Sequence, residues 1–470
     1  MAVNGPTLLT DEQMRQFITQ GYLILKTDFS QEFHEHLTEQ LNEVYRNEGN
    51  PGNNLLPRIR ELQRVFDHPV IDGALTSVLG PNYMMHSHRH GHYNAVNTPG
   101  DWHKDSYWGY QRMRNHHPWW AMIMYFPQDT PIELGPTGVF PGTQNYETRT
   151  FTKDEVEDEV LASGEAGTFA LIHYDIWHRS TPNLLGQPRY MLKFEFMRTT
   201  YPTRPSWDHH DAEWVLPETL NTPIARHDML WKEMWNWLSG EIGSLSGTLS
   251  DDSESISALV TQLQGESEPL ALNAAYELAC RGGKGVNALL QALHHEEVTV
   301  SRIAAYGLSV SGRGAIEGLT ASLDSDRPDT VTHAAFALGE LGYFASEAVT
   351  KLVSLLDHPA ERVRREIVES LGMIGTPVDE VISGLVRGLQ DDDVQVRFMA
   401  GLAFTRLGSA GAPAVPHLED VLDDDNRYVR AHALEALRYI GTDQAKDLLI
   451  HRLMNDRWCS TTTPANAFYP

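Results

Sequence analysis

Cysteine is almost missing from this chain: Cys280 and Cys459 are the only two in 470 residues, so at most one bridge can form and a disulfide framework is excluded. Positive charge is scarce too. There are 37 Lys and Arg against 63 Asp and Glu, a formal charge of −26, which repels phosphate backbones and anionic lipid surfaces instead of releasing counterions from them. The charge therefore argues against nucleic acid and anionic membrane surfaces as partners. No run approaches the roughly 18 consecutive apolar residues that a spanning helix needs, and the opening MAVNGPTLLTDEQ lacks a basic segment followed by an apolar one. These absences point to a reduced, cytoplasmic protein. What is present is average for a folded chain, with 41% hydrophobic and 21% charged residues, and the length suggests about three domains.

The strongest organisation lies in the second half, where AAYELACRG, AAYGLSVSG, AAFALGELG, IVESLGMIG, LAFTRLG and LEALRYIG recur. Their closing glycines, Gly282, Gly312, Gly342, Gly375, Gly408 and Gly441, are spaced by 30, 30, 33, 33 and 33 residues. In the last three repeats an acidic turn precedes a Val-Arg pair: Asp357 before Val363-Arg364, Asp391 to Asp393 before Val396-Arg397, and Asp423 to Asp425 before Val429-Arg430. Acid suits a helix N-terminus and glycine suits its C-terminal cap. Each repeat therefore predicts two short antiparallel helices. Pattern and length resemble short HEAT repeats over about residues 251 to 455, and that resemblance implies an all-α solenoid.

A segment rich in Ser, Gly and acid, LSGEIGSLSGTLSDDSESIS, separates the repeats from a different texture upstream. The expected divisions are 1–240, a linker at 241–255, the solenoid at 256–455 and a tail at 456–470. Residues 1–240 open with helical segments and continue with short strands such as AMIMYF, GTFALIHYDI and YMLKFEFM, separated by Pro/Gly turns. Strands of that kind fit a double-sheet β-barrel better than a parallel sheet. The whole chain thus reads as multidomain α+β.

Within the β half, DWHKDSYWG puts His103 and Asp105 two residues apart, on one face if the segment is a strand. A second segment, LIHYDIWHRSTPNLLGQPRYMLKFEF, supplies His178 and, 11 residues later, Arg189. Two histidines and a carboxylate make the facial set that leaves positions open on iron(II). An arginine fork beside it can take a carboxylate through two parallel hydrogen bonds, as the far end of 2-oxoglutarate requires.

These residues, with the opening LTDEQMRQFITQGYLIL, the WHKD motif, the turn ELGPTGVFPGTQ and WHRSTPN, resemble the phytanoyl-CoA dioxygenase family over about residues 8 to 200. The resemblance implies a double-stranded β-helix (a jelly-roll, cupin-like barrel) with flanking helices. It further implies that His103, Asp105 and His178 hold Fe(II), that Arg189 holds the distal carboxylate of 2-oxoglutarate, and that Ser180 adds a hydroxyl to it. Iron with 2-oxoglutarate and O2 would then hydroxylate, or otherwise oxidise, an unactivated C–H, leaving succinate and CO2. The turn departs from the family, with Glu133-Leu134-Gly135 and Gly142-Thr143-Gln144 in place of acid-Asn-Gly and Gly-Ser-His. Retention of Asp105 argues against halogenation, because related halogenases carry a small residue there.

Other residues stand around this set. His86, His88, His90 and His92 alternate and would share a face on a regular strand, suiting a polar lining more than a second metal site. His173 and Asp175 form another His-x-Asp pair, a decoy without a partner placed as Arg189 is. Tyr107, Trp108 and Tyr110 follow the ligand segment and, with His90 and Arg112, are candidate substrate contacts for an aromatic, apolar or natural-product-like small molecule. Arg114 is a further cation that could meet an anionic group, and YPTRPSWDHHDAEWVLPETL reads as a lid or as packing. The repeats could bind a protein or carrier-tethered substrate, mediate self-association, or only support the fold. The alternative to a small-molecule oxygenase is one acting on a substrate recruited by the repeats, or a non-enzymatic scaffold with a metal-binding barrel.

Overall fold

The computed structural model describes residues 5–105, 113–152, 157–220 and 225–455. Two compact units divide the described residues: the first contains 5–105, 114–226 and 234–240, the second 113, 227–233 and 241–455. No described helix is long and apolar enough to cross a membrane.

The first unit opens with the helix Asp11–Gln20, started by a capping box in which Thr10 accepts from the Gln13 N–H and the Gln13 side chain accepts from the Thr10 N–H. Such a reciprocal cap contributes about 1 kcal/mol. Strand β1 (Tyr22–Lys26) follows, then β2 (Met84–Asn94), β3 (Trp120–Tyr125), β4 (Thr137–Val139), β5 (Val160–Leu161), β6 (Thr168–His173), β7 (His178–Ser180) and β8 (Arg189–Met197). They form two antiparallel sheets, one ordered β1-β6-β3-β8-β2 and one ordered β5-β4-β7.

All nine residues of β8 are buried, yet its two faces differ. Period-2 alternation sends Tyr190, Phe194 and Phe196 to one side, where Phe194 lies 4.0 Å from Phe66 and Tyr190 lies 5.1 Å from Tyr45 of the covering helices. Arg189, Lys193 and Glu195 fall on the other side. A sheet that packs helices on one face and carries charge on the other is a site in outline.

The segment 201–220 is packing. Trp207 donates to Asp11 Oδ1 at 2.6 Å, the N–H groups of His210 and Asp211 donate to Asp11 Oδ2, and Trp207 and Trp214 pack on Trp235. Burial acts to raise the Asp11 pKa, but these donors outweigh it and hold the carboxyl below its usual value.

In the second unit the helices Glu268–Ala279, Val298–Ser309, Pro328–Glu340, Glu361–Ile374, Val394–Leu407 and Arg427–Ile440 pack in succession, with a second set of helices between them. All six periodic glycines have positive φ, from 53° to 67°, the left-handed geometry that a side chain resists. The close approach between neighbouring helices is also glycine-dependent, since a Cβ on Gly372 would lie 2.4 Å from Ala403 Cβ.

The acidic turns work differently from the expected caps. Asp393 does cap its helix, accepting from Gln395 and Val396 N–H, but the caps of the flanking helices are Ala360 and Asn426. Asp391 and Asp424 instead receive arginines from the preceding repeat. Arg364 bonds both Asp391 oxygens, at 2.7 and 2.8 Å, and Arg397 bonds Asp424 at 2.7 Å. The same arginines reach back six residues to the carbonyls of His358 and Asp391, and Arg430 reaches that of Asp424. The 33-residue period is therefore a ladder of arginine clamps. Cys280, the one cysteine among the described residues, is buried with a free thiol, and burial pushes its pKa up to about 12.

Candidate metal and cofactor site

His103, Asp105 and His178 offer one ligand atom each, all within 4.8 Å of one another. His178 comes from β7. His103 lies outside the named strands but forms an isolated antiparallel bridge with His178, each N–H donating to the other's carbonyl at 3.0 Å. This bridge, rather than a regular strand carrying both members of the His-x-Asp pair, brings the histidines together, with ring centroids 4.4 Å apart.

Each imidazole is oriented through its Nδ1. That of His103 bonds the Asp101 carbonyl at 2.9 Å and that of His178 bonds the Ile176 carbonyl at 3.1 Å. Carbonyls only accept, so Nδ1 carries the proton and Nε2 keeps its lone pair for a metal. The His178 Nε2 lies 3.5 Å from Asp105 Oδ2, and the His103 Nε2 lies 4.0 Å from Asp105 Oδ1. Burial pushes the His178 pKa down to about 4 against the pull of Asp105. For Asp105, burial works upward, but Lys193, then His178, more than offset it and hold the carboxyl well below the usual range. A neutral imidazole and an ionised carboxylate are the forms that ligate.

Arg189 opens β8, opposite Asn94 of β2. The residue is 1% exposed; its Nε donates to the Gly135 carbonyl at 2.9 Å, and its Nη1 is buried without a partner. Burial pushes its pKa down to about 10, so it stays charged at neutral pH. A buried cation without an anion is costly. Ser180 lies two residues past His178 on β7, hence on the same face.

The histidine-rich strand is less regular than its alternation predicts, because the β2–β8 register shifts between Met85 and Arg89. His90 pairs with Lys193 and His92 with Met191, while His86 is fully buried, its Nδ1 3.4 Å from Glu195 Oε2. The His92 Nε2 is buried without a partner, and burial, then Lys193, lower the His92 pKa. Tyr107, Trp108, Tyr110 and Arg112 lie outside the described residues. The decoy pair resolves structurally: Arg114 Nη1 bonds Asp175 at 2.7 Å, its Nε bonds Glu147 at 2.9 Å, and Nη1 also reaches the Asp105 carbonyl at 3.3 Å. Arg114 thus holds the backbone at Asp105.

Sequence reasoning missed Lys193 and Glu195. Lys193 Nζ bonds Asp105 Oδ2 at 2.7 Å and lies 3.9 Å from Glu195 Oε1, with Glu195 fully buried. The available signal was a string of charges at even spacing, Arg189, Lys193 and Glu195, in an otherwise apolar strand.

Comparison with known proteins adds the family. Residues 6–191 match the phytanoyl-CoA dioxygenase family, and residues 316–405 and 382–460 match HEAT repeats. The chain carries a phytanoyl-CoA dioxygenase domain followed by HEAT repeats. It matches no curated protein. Among solved structures it is similar to the non-heme alpha ketoglutarate dependent carbocyclase SnoK from nogalamycin biosynthesis, at 18% identity, covering 42% of this chain and 88% of that one, with a TM-score of 0.34. EctD from S. alaskensis, with 2-oxoglutarate and 5-hydroxyectoine, is similar at 15% identity, covering 46% and 89%, with a TM-score of 0.35. HygX from Streptomyces hygroscopicus, with nickel and 2-oxoglutarate bound, is similar at 14% identity, covering 45% and 94%, with a TM-score of 0.33.

Proposed function

We propose that the sheet unit is an iron(II)- and 2-oxoglutarate-dependent oxygenase acting on a C–H bond of a small organic molecule. The observation that carries the reading is Arg189, a buried guanidinium with an unpartnered Nη1 in the same unit as a His-Asp-His set. The residues fit both groups. His103 and His178 present Nε2, Asp105 is ionised, and a dianionic oxo-acid reaching from the metal would give Arg189 the anion it lacks. A double-stranded β-helix is the fold that the two antiparallel sheets support, and 1–240, 241–255 and 256–455 are the divisions we assign to oxygenase, linker and solenoid, with 456–470 as tail. The repeats are the part suited to a protein partner or a second copy.

When bound, iron(II) with 2-oxoglutarate and O2 supplies the oxidising chemistry, with succinate and CO2 as co-products. The protein's share is positional. His103 and His178 keep their lone pairs aimed because backbone carbonyls hold both Nδ1 protons. Arg189 takes the distal carboxylate, with the Ser180 hydroxyl beside it, so the oxo-acid binds in one orientation. Burial of His178 and Arg189 excludes water from that end of the site.

The test is an anaerobic titration of metal-free protein with iron(II) and then 2-oxoglutarate, following the visible charge-transfer band of a chelated oxo-acid. A band in the wild type that weakens in Arg189→Met is the expected outcome. No band in folded wild-type protein would sink the oxygenase reading.

A further inference from the structure

The two histidines and the carboxylate of the ligand set are held in unlike ways. His103 and His178 are fixed twice, by their mutual backbone bridge and by an Nδ1 bond to a carbonyl two residues upstream. Asp105 has neither device: it is outside the named strands, and a carboxylate on a short side chain rotates about two torsions. Its orientation must come from what its oxygens touch. We propose that Lys193 is the positioning residue of the metal site, committing Asp105 Oδ2 to its ammonium so that Oδ1 is the oxygen left for the metal. The proposal rests on reading His103, Asp105 and His178 as a metal set.

Three observations carry it. Lys193 Nζ lies 2.7 Å from Asp105 Oδ2, within charge-assisted hydrogen-bond range. The Lys193 side chain is 7% exposed and that of Asp105 15%, so the pair is largely shielded from bulk water. Lys193 is also backed on its own strand by Glu195, fully buried and 3.9 Å from Nζ. Glu195 stands outside the His103, Asp105 and His178 set, so a carboxylate there can offset an ammonium beside a dication without being one of the three ligands. Groups that orient metal ligands in this way commonly hold one to two orders of magnitude of metal affinity.

Cobalt(II) is the probe, titrated anaerobically into the metal-free full-length chain, with dissociation constant and visible ligand-field spectrum read together. Lys193→Met should weaken cobalt(II) binding roughly ten- to a hundredfold and change the spectrum as the carboxylate is freed. Lys193→Gln, which keeps an N–H donor without the charge, should fall between Met and wild type. A lysine that merely supports the fold would lower the metal-free melting temperature and leave both readouts unmoved. Unchanged or tighter binding with a native spectrum in Lys193→Met overturns the proposal, and if that variant does not fold, the same result in Lys193→Gln overturns it. Failure of the wild type itself to bind cobalt(II) would overturn the oxygenase reading as well, whereas the variant result touches only Lys193.

Discussion

In the helical repeats, Arg364 and Arg397 each end on a carboxylate and a carbonyl, and Arg430 ends on carbonyls, while in the sheet unit Arg189 reaches one carbonyl and keeps Nη1 unpartnered in the interior. The same side chain thus sits in opposite surroundings. Where it ends on a carboxylate of the next repeat, as Arg364 and Arg397 do, an arginine joins neighbouring repeats; where Nη1 is buried without a partner, the oxygenase reading proposed above supplies the anion.

The largest effect that would break this contrast comes from Arg189→Met. The loss of charge-assisted bonds to the oxo-acid should weaken 2-oxoglutarate binding by about 3 kcal/mol, on the order of a hundredfold. The melting temperature of the ligand-free protein should hold or rise, because an unpaired buried cation is gone. Calorimetric titration and a thermal melt read the two effects, and a large drop in melting temperature would make Arg189 a structural arginine like those of the repeats.

Acid should erase the contrast. His173 and His178 in the sheet unit, and His227 and His432 in the repeat unit, are pushed by burial to about 4, and His333 to about 3. Above the unfolded value of about 6.5 both states are neutral; below it the unfolded chain takes up protons the native chain refuses. Stability should therefore fall as pH drops from 6.5 towards 4, by up to about 1.4 kcal/mol per pH unit for each such histidine, in both units. Denaturant melts followed by circular dichroism at stepped pH measure the slope, which His432→Gln should flatten.

Gly372→Ala sharpens the comparison from the other side. The added methyl meets Ala403 at 2.4 Å, an overpacking cost of about 1–3 kcal/mol. Denaturant stability should drop with cobalt(II) affinity unchanged. The smallest effect belongs to Arg397→Ala, which removes one clamp whose side chains are 20% and 10% exposed. About 1 kcal/mol is expected, between the values for exposed and buried pairs, and a double-mutant cycle with Asp424→Ala should show coupling between the two.

The candidates for the metal set were visible as two local pairs, His103 with Asp105 two apart and His178 with Arg189 eleven apart, while the approach of one pair to the other leaves no local sign. The repeat helices were legible because glycine and arginine recur at a fixed period. Their acidic turns look like caps within a single repeat, yet most accept from arginines, since a partner 27 residues away leaves no mark within one turn. The alternation of His90 and its neighbours predicts one regular face, which the register shift in β2 interrupts. The pairing of Arg114 with Asp175, 61 residues apart, and of Lys193 with Asp105, 88 apart, has no local signature at all.

What the sequence determined by itself, then, is whatever rests on period and residue type: two kinds of architecture in one chain, and the candidate residues for a metal set and for an anion-binding arginine. Tertiary structure alone decided which charges are satisfied. The His103–His178 bridge, the burial of the Arg189 Nη1, and the lysine holding Asp105 all depend on strands distant in sequence being brought within a hydrogen bond of each other. Whether a buried charge clamps the fold or waits for a ligand is settled by those partners, because the cost of burial is the same for both.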